Sequence, residues 1–431
     1  MLISFSFENW ACFGDSVNFT MMATKVRGQR ETLATWGRNK ILPVAALYGE
    51  NAAGKSSFIK ALAFVQELVL HDVGPSAPLP VNPCRSKPGK EGAPSYFSLT
   101  FLAKGKAYRL TFRVTMKEIV DERLEILNTR GQITDTLYER KGETVTIKAK
   151  KASEQLQLAT RATVPQRLFL SVAAQLNAQE AMPAFLWFAE TLFLLKPGAR
   201  LTRLDALCGG RFEQKTNDFL NRFAAGTKRL SLRDVSFERL QLDENSRRIA
   251  QNVRANETLI LRMGQESSEA TECVVFTRGE DGIVNARRLF FVHEDEEGHD
   301  FDLPMSLESD GTLRMVNLIP ALQMLETEGE ERVLVVDELD RSLHPHVCRG
   351  MIEDFLATRG PSGRSQLIFS THNTQLIADK TIRKDEYWIV DKACALGSAV
   401  YSFSDFQGLR EQSDYLRAYT EGRMGGIPKG F

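Results

Sequence analysis

The stretch Gly49-Glu50-Asn51-Ala52-Ala53-Gly54-Lys55-Ser56 fits the pattern G-x-x-x-x-G-K-[ST], and it follows the apolar run Val44-Ala45-Ala46-Leu47-Tyr48. The order carries a physical meaning. A buried strand feeds a glycine turn whose backbone folds tightly enough to aim successive amide N–H groups into one anion-sized hollow. Lys55 is spaced to reach the outer phosphates of a nucleoside triphosphate, and the Ser56 hydroxyl to reach Mg2+. The segment Ser57 to Leu70 is helical in pattern, so the positive end of a helix dipole faces the same hollow and Ser57 joins the expected phosphate contacts.

Much further along the chain, Val333-Leu334-Val335-Val336 reads as a second buried strand, and it ends in Asp337-Glu338. In open α/β sheets ligands meet the carboxyl ends of strands. Two adjacent carboxylates at such a tip divide the labour: Asp337 is placed to hold Mg2+, and Glu338 to orient or deprotonate an attacking water. A third apolar strand, Gln366-Leu367-Ile368-Phe369, ends in Ser370-Thr371-His372, and the helical pattern of Val347 to Thr358 separates it from the acidic strand. That βαβ spacing puts both tips on one rim, where His372 can contact a γ-phosphate.

Before the acidic strand lies Ser306-Leu307-Glu308-Ser309-Asp310-Gly311-Thr312, followed by the helical run Leu313 to Leu325. A small, hydroxyl-rich turn at a helix start is either a simple N-cap or a second anion site.

In order, the motifs resemble the ATP-binding-cassette type of head found in SMC and RecF proteins, in overcoming-lysogenization-defect nucleases and in prokaryotic abortive-infection ATPases of the AAA family. Gly49 to Ser56 match the Walker A loop, Asp337-Glu338 the Walker B pair, Leu339-Asp340 the D-loop and His372 the switch histidine. Ser309 to Thr312 match the signature turn without the LSGGQ wording of transporters. The opening run Ile3 to Phe13, with Trp10 in the aromatic place, is similar to the first strand and turn of such heads. The tail from Tyr419 to Phe431, with Gly422-Arg423-Met424-Gly425-Gly426-Ile427-Pro428, resembles the Gly-Arg-x-Gly-x-x-Pro ending of abortive-infection ATPases; a frayed terminus is the alternative.

The loop and its acidic partner are too far apart for one compact α/β domain without an insertion. The expected fold is therefore α/β: an ABC-type P-loop head with a mixed sheet, an antiparallel β subdomain and an inserted helical cap. Residues 1–72 would form the first part of the head, 73–160 the β subdomain, 161–270 the helical insertion, and 271–431 the rest of the head. Strands are expected at Tyr96 to Leu102, Lys106 to Val114, Leu124 to Leu127 and Thr144 to Ile147. No heptad run is long enough for an SMC coiled coil. Gln175 is either a Q-loop sensor of Mg2+ or a packing residue of a helix.

Of 431 residues, 43% are hydrophobic and 26% charged, ordinary values for a globular chain, and 55 basic residues balance 55 acidic ones. Nothing in that balance demands nucleic acid, although Lys228, Arg229 and Arg233 offer either a local basic groove or a solvated face. Cys12, Cys84, Cys208, Cys273, Cys348 and Cys394 are scattered without a C-x-x-C pair, which favours reduced thiols. No export signal opens the chain, and the greasiest run, Ala184 to Leu195, is short for a bilayer and contains Glu190. The expectation is a cytoplasmic protein without a membrane partner.

The resemblance implies a Mg2+-dependent ATP hydrolase that works as a homodimer, in which two copies sandwich ATP, or as a larger homo-oligomer. Ser309, Gly311 and Thr312 of one chain would close on the phosphates held by the other, and Asp340 would communicate between the sites. After His372 too little chain remains for a Toprim nuclease. The expected setting is thus a defence system, in which this chain senses a phage trigger and controls a separate effector protein, a toxin or a nuclease. The alternative is a RecF/SMC-like repair ATPase that binds DNA; a transporter motor fits less well.

Overall fold

A strand without a polar residue is buried on both faces, and such strands sit in parallel sheets covered by helices. In the computed structural model, Val44–Tyr48 occupies this place: all five residues are buried. The structure describes residues 1–26, 28, 30–72, 74, 77–195, 213–224, 226–240, 242–255, 258–263, 272–326, 329–359, 363–393, 397–406 and 412–426. Cys208, Cys394 and the tail from 427 to 431 lie outside them.

The chain divides into two units, the first made of Met1–Lys196, Leu325–Leu339 and Arg349–Phe431, the second of Pro197–Met324 and Asp340–Cys348. Besides a two-stranded sheet of Ala34–Trp36 and Asn39–Ile41, the first unit holds two larger sheets. One has six strands in the order Leu192–Leu195, Val333–Val336, Gln366–Ser370, Val44–Tyr48, Tyr387–Ala393, Gly397–Ser402. All neighbours in it are parallel except the last pair, so it is the mixed sheet expected of the head. The other sheet has seven antiparallel strands, running Thr144–Ile147, Ile133–Lys141, Ile119–Leu127, Lys106–Val114, Ser95–Ala103, Leu2–Glu8, Val17–Thr20. It contains the four strands expected between 96 and 147, and the opening strand joins it.

Between these layers runs the helix Lys55–Leu70, whose buried positions include Phe58, Ile59, Ala61, Leu62, Ala63, Phe64 and Val65. Consecutive buried residues place apolar surface around most of the helix, as a helix covered on more than one side requires, and leave a stripe with Lys60 and Glu67 exposed. Phe58 packs edge-on against Phe5, Phe7 and Phe19, with ring centroids 5.2–5.8 Å apart. Phe19 in turn meets Trp388 of the mixed sheet at 4.7 Å. Burying each such ring contributes roughly 2 kcal/mol, so the start of this helix is fixed by a core shared with both sheets.

A buried acid supports the same unit. Glu122 accepts the Tyr138 hydroxyl (2.6 Å) and the N–H groups of Phe169 (2.6 Å) and Leu170 (3.0 Å), with Arg140 at 3.9 Å. The helix Phe169–Gln175 has no side-chain cap of its own; the carboxylate serves its orphan amides from the sheet. Burial raises the Glu122 carboxyl, and Tyr138, Arg140 and the two amides oppose the rise.

The second unit is built around a five-stranded antiparallel sheet of Thr227–Val235, Thr258–Met263, Glu272–Arg278, Val284–Glu294 and Asp300–Pro304. Two of these strands fall inside 161–270, where the sequence pattern predicts a helical insertion. Helices are present there at Phe169–Gln175, Met182–Leu186, Glu213–Phe223 and Glu244–Gln251, but the region is mixed. Residues 227–235 lack a clean alternation of buried and exposed side chains, because their pairing with Val284–Glu294 is long-range and decides the conformation. The acidic run Glu294 to Glu297 forms the hairpin tip between Val284–Glu294 and Asp300–Pro304.

Candidate functional site

The loop after Val44–Tyr48 is shaped by confinement on both flanks. Gly49, Ala52 and Gly54 all have positive φ, at 153°, 62° and 121°. A Cβ on Gly49 would stand 2.3 Å from the Val390 carbonyl oxygen, and one on Gly54 would stand 2.7 Å from Cys12 Sγ and 3.0 Å from Phe13 Cζ. Only glycine fits at either place. The opening turn of the chain therefore presses on the loop, and the Trp10 indole N–H secures it by donating to the Ser57 carbonyl at 3.0 Å.

The helix Lys55–Leu70 starts with no side-chain cap and no acid in its first turn. Its first amides have no intrahelical acceptor, and no acid of that turn competes with an anion there. Lys55 is buried, and its Nζ donates to the carbonyls of Gly49 (2.8 Å) and Glu50 (3.0 Å), so the amine is drawn back over the loop. Glu50, Asn51 and Ala52 lie toward solvent and Ala53 is buried; Ser56 and Ser57 are half-buried in the first helical turn.

The sheet order brings the acidic strand and the histidine strand to the same rim. Gln366–Ser370 lies directly between Val333–Val336 and Val44–Tyr48, all parallel, with Val336 opposite Phe369 and Ser370 opposite Leu47. Asp337 and Glu338 emerge one strand from Ser370, and the loop begins one strand beyond it on the other side. Ser370 is fully buried and joins the two acids. Its hydroxyl donates to Asp337 Oδ1 at 2.6 Å and accepts the Glu338 N–H at 2.7 Å. Glu338 has φ of 53°, a left-handed conformation that a non-glycine residue keeps only when its surroundings enforce it. The Leu339 N–H, donating to the Ser370 carbonyl at 3.0 Å, completes that enforcement.

His372 is exposed on a turn anchored at both ends to the loop's own strand. Thr371 donates its N–H to the Leu47 carbonyl at 3.0 Å, and the Tyr48 hydroxyl donates to the Asn373 carbonyl at 2.9 Å. The first unit thus brings together Gly49 to Ser57, Asp337, Glu338 and His372. Oxygen ligands suit Mg2+, and the Ser56 hydroxyl and the buried Asp337 carboxylate supply that donor set.

Ser309, Gly311, Thr312 and Asp340 belong to the second unit. The helix Asp310–Leu325 begins with a satisfied N-cap: Ser309 Oγ accepts the Thr312 N–H at 3.1 Å and lies 2.9 Å from the Thr312 hydroxyl. Glu308 accepts the Ser309 N–H at 3.2 Å through one oxygen and bonds His293 Nε2 through the other. A Cβ on Gly311 would meet the Ser342 carbonyl oxygen at 2.8 Å, so the segment after Asp340 packs against this turn.

Gln175, whose sequence fits either sensing or packing, is exposed at the end of its helix, which excludes a core-packing role. The cations Lys228, Arg229 and Arg233 are each paired. Lys228 and Arg229 bond Asp300 at 3.0 and 3.1 Å, and Arg233 bonds Asp302 at 2.9 Å. They form a neutralised face. Among the described residues no helix is long and apolar enough to cross a membrane.

The loop, both acids and the histidine stand out in the sequence pattern. Ser370 does not, because a serine at a strand end has no pattern of its own.

No curated protein sequence matches the chain. Among solved structures it is similar to an SMC head domain from Thermotoga maritima, at 13% identity and a TM-score of 0.36, with 93% of this chain and 98% of that one covered. It is also similar to an SMC head bound to the C-terminal winged-helix domain of ScpA, at 12% identity and a TM-score of 0.38, covering 93% and 97%. A family model described as "AAA domain, putative AbiEii toxin, Type IV TA system" matches residues 44–378. That span runs from the strand before the loop to the helix after His372 and includes every residue of the rim, and the chain belongs to this family of AAA-type ATPases.

Proposed function

We propose that the chain hydrolyses ATP with Mg2+ and works as a pair of copies, within a defence or toxin–antitoxin system of the abortive-infection kind, where it controls a separate effector. One observation carries the chemistry: Ser370 ties Asp337 and Glu338 together on the strand next to the phosphate loop. Gly49 to Ser57 bind the phosphates through backbone amides and Lys55. Ser56 and Asp337 hold Mg2+, which neutralises phosphate charge when bound. Glu338 orients the attacking water and takes its proton, and His372 steadies the γ-phosphate. The capped helix start at Ser309, with Gly311 and Thr312, supplies amides to ATP held by the partner subunit, and Asp340 couples the two sites.

The family description supports the toxin–antitoxin setting, and the paired state of Lys228, Arg229 and Arg233 speaks against a DNA groove on that face. The test is ATP turnover combined with light scattering after size exclusion. Glu338→Gln is expected to lose turnover and to accumulate as an ATP-dependent dimer, whereas Lys55→Ala binds little nucleotide. A Glu338→Gln protein that hydrolyses ATP at the parental rate would overturn the assignment. Turnover stimulated by DNA in a salt-dependent manner would overturn the setting.

A further inference from the structure

The last described residues return to the phosphate loop. The helix Gln412–Thr420 ends in a turn in which the N–H groups of Gly422 and Arg423 donate to the carbonyls of Tyr419 (2.9 Å) and Ala418 (2.9 Å). Gly422, Gly425 and Gly426 all have φ near 70°. Three bonds then tie the turn to the mixed sheet and to its own helix. The Tyr401 hydroxyl donates to the Met424 carbonyl at 2.8 Å, the Gly426 N–H donates to Asp391 Oδ1 at 2.7 Å, and the Tyr419 hydroxyl donates to the Gly426 carbonyl at 3.3 Å.

Gly426 lies against the first residue of the loop. A Cβ added to it would stand 2.7 Å from Ile389 Cγ2 and 3.6 Å from Gly49 Cα. Gly49 is closed on another side by the Val390 carbonyl. The Tyr419 ring packs edge-on against Tyr48, the residue before Gly49, at 5.8 Å. Burial pushes the Tyr419 phenol up to about 12, while the Gly49 backbone acts on the same hydroxyl in the opposite sense. The turn therefore touches Gly49 by packing, and Tyr419 stands beside it.

We propose that the Tyr419–Gly426 turn is a positioning element of the nucleotide site, which holds the Gly49–Glu50 backbone in its phosphate-binding shape and so sets ATP affinity without touching ATP. The proposal rests on reading Gly49 to Ser56 as the phosphate loop. Its physics is preorganisation: a loop already held in its bound shape loses less conformational freedom when the ligand arrives. Tyr419, Gly426 and Asp391 are positioning residues in this scheme.

The test uses the full chain and compares three variants by isothermal titration with ATP, steady-state turnover and melting without nucleotide. Gly426→Ala places a methyl group against Ile389 at a positive φ. It is expected to weaken ATP binding and raise KM by about tenfold, with kcat at saturating ATP within about twofold of the parent. Tyr419→Phe removes only the hydroxyl and is expected to weaken binding about threefold; it decides the matter if Gly426→Ala does not fold. Gly142→Ala carries comparable backbone strain (φ 56°) with nothing within 4 Å of the new methyl, and it is expected to leave ATP affinity at the parental value. Parental affinity in folded Gly426→Ala and in Tyr419→Phe would overturn the proposal, as would an equal loss in Gly142→Ala. A parental protein that binds no ATP would instead overturn the phosphate-loop reading beneath it.

Discussion

Ser370→Ala removes one oxygen atom, and its expected cost follows from what that atom holds. The hydroxyl donates to Asp337 Oδ1 at 2.6 Å and accepts the Glu338 N–H at 2.7 Å, at a position with no solvent exposure. A hydrogen bond to a charged group contributes about 1.5–3 kcal/mol, and a buried amide left unpaired costs about 1–3 kcal/mol. Glu338 is half-buried, so water can reach its amide after some adjustment, and the lower ends apply. Stability should fall by about 2–3 kcal/mol. The larger effect is on geometry. At a φ of 53° Glu338 stores about 1–3 kcal/mol of backbone strain, and losing the hydroxyl removes one of the bonds, beside the Leu339 N–H to the Ser370 carbonyl, that oppose its relaxation. A displacement near 1 Å of a group that orients water lowers turnover on the order of a hundredfold. The expected result is thus a loss of kcat of about ten- to a hundredfold. ATP affinity should change by less than about threefold, because Lys55 and the loop amides are untouched. Phosphate release at saturating ATP measures the first quantity, titration calorimetry the second, and a urea melt the stability. A folded Ser370→Ala protein that turns over ATP within twofold of the parent would refute the idea that this hydroxyl fixes the acidic pair.

Two further predictions concern stability. Glu122→Ala removes the acceptor of the Tyr138 hydroxyl and of the Phe169 and Leu170 amides, and it leaves Arg140 without its carboxylate. Breaking a buried ion pair in this way costs about 3–5 kcal/mol; a drop below about 1 kcal/mol in a urea melt would contradict the account of how the Phe169–Gln175 helix is capped. Burial raises the Glu386 carboxyl from 4.5 to about 8, against the pull of the Arg383 amide at 2.7 Å and the Arg383 charge. Between those two values the folded chain keeps a proton that the unfolded chain has lost, so stability falls as pH rises through that window. The full effect is on the order of 5 kcal/mol. Glu386→Gln, which retains an acceptor for the Arg383 and Val44 amides, should flatten that slope; melting temperatures from pH 5 to 8 with an unchanged slope would rule it out.

What is legible in the sequence is whatever physical chemistry forces into a local pattern. The loop Gly49 to Ser56 is readable because an anion hollow needs glycines at fixed offsets, and Val333–Val336 because a strand buried on both faces excludes polar residues. The antiparallel strands at Ser95–Ala103 and Lys106–Val114 are readable because a tight turn at Lys104-Gly105, both at positive φ, joins two alternating runs. The strand Thr227–Val235 is not. It is held by partners as far away as His293, and the helical pattern of neighbouring segments hides it. Ser309 is legible as one of two things, and its hydroxyl proves to cap the helix Asp310–Leu325. Any part it plays toward a partner's ATP must then come from its remaining donor and from the helix amides. Ser370 is invisible in the sequence because its role depends on which strand lies beside it, which only the sheet order decides.

That sheet order also helps explain why early and late segments of the described chain meet at one loop. The strand Val44–Tyr48 has Gln366–Ser370 on one side and Tyr387–Ala393 on the other, so two late segments flank an early one. The opening turn reaches the loop through Cys12, Phe13 and Trp10, and the closing turn through Gly426. Each of these touches falls on a loop glycine or on the first helical turn, positions where a displaced amide changes how a phosphate is held. A phosphate loop on a strand and a helix alone would be free to relax; here four segments from distant parts of the sequence bear on it or on its strand. Any coupling from bound nucleotide to the rest of the chain would then have identifiable neighbours to run through, Gly54 to Phe13 on one flank and Gly49 to Gly426 on the other. If this is correct, mutating either flank should weaken nucleotide binding according to how much packing the substitution removes, and mutating both should weaken it by more than the sum of the two.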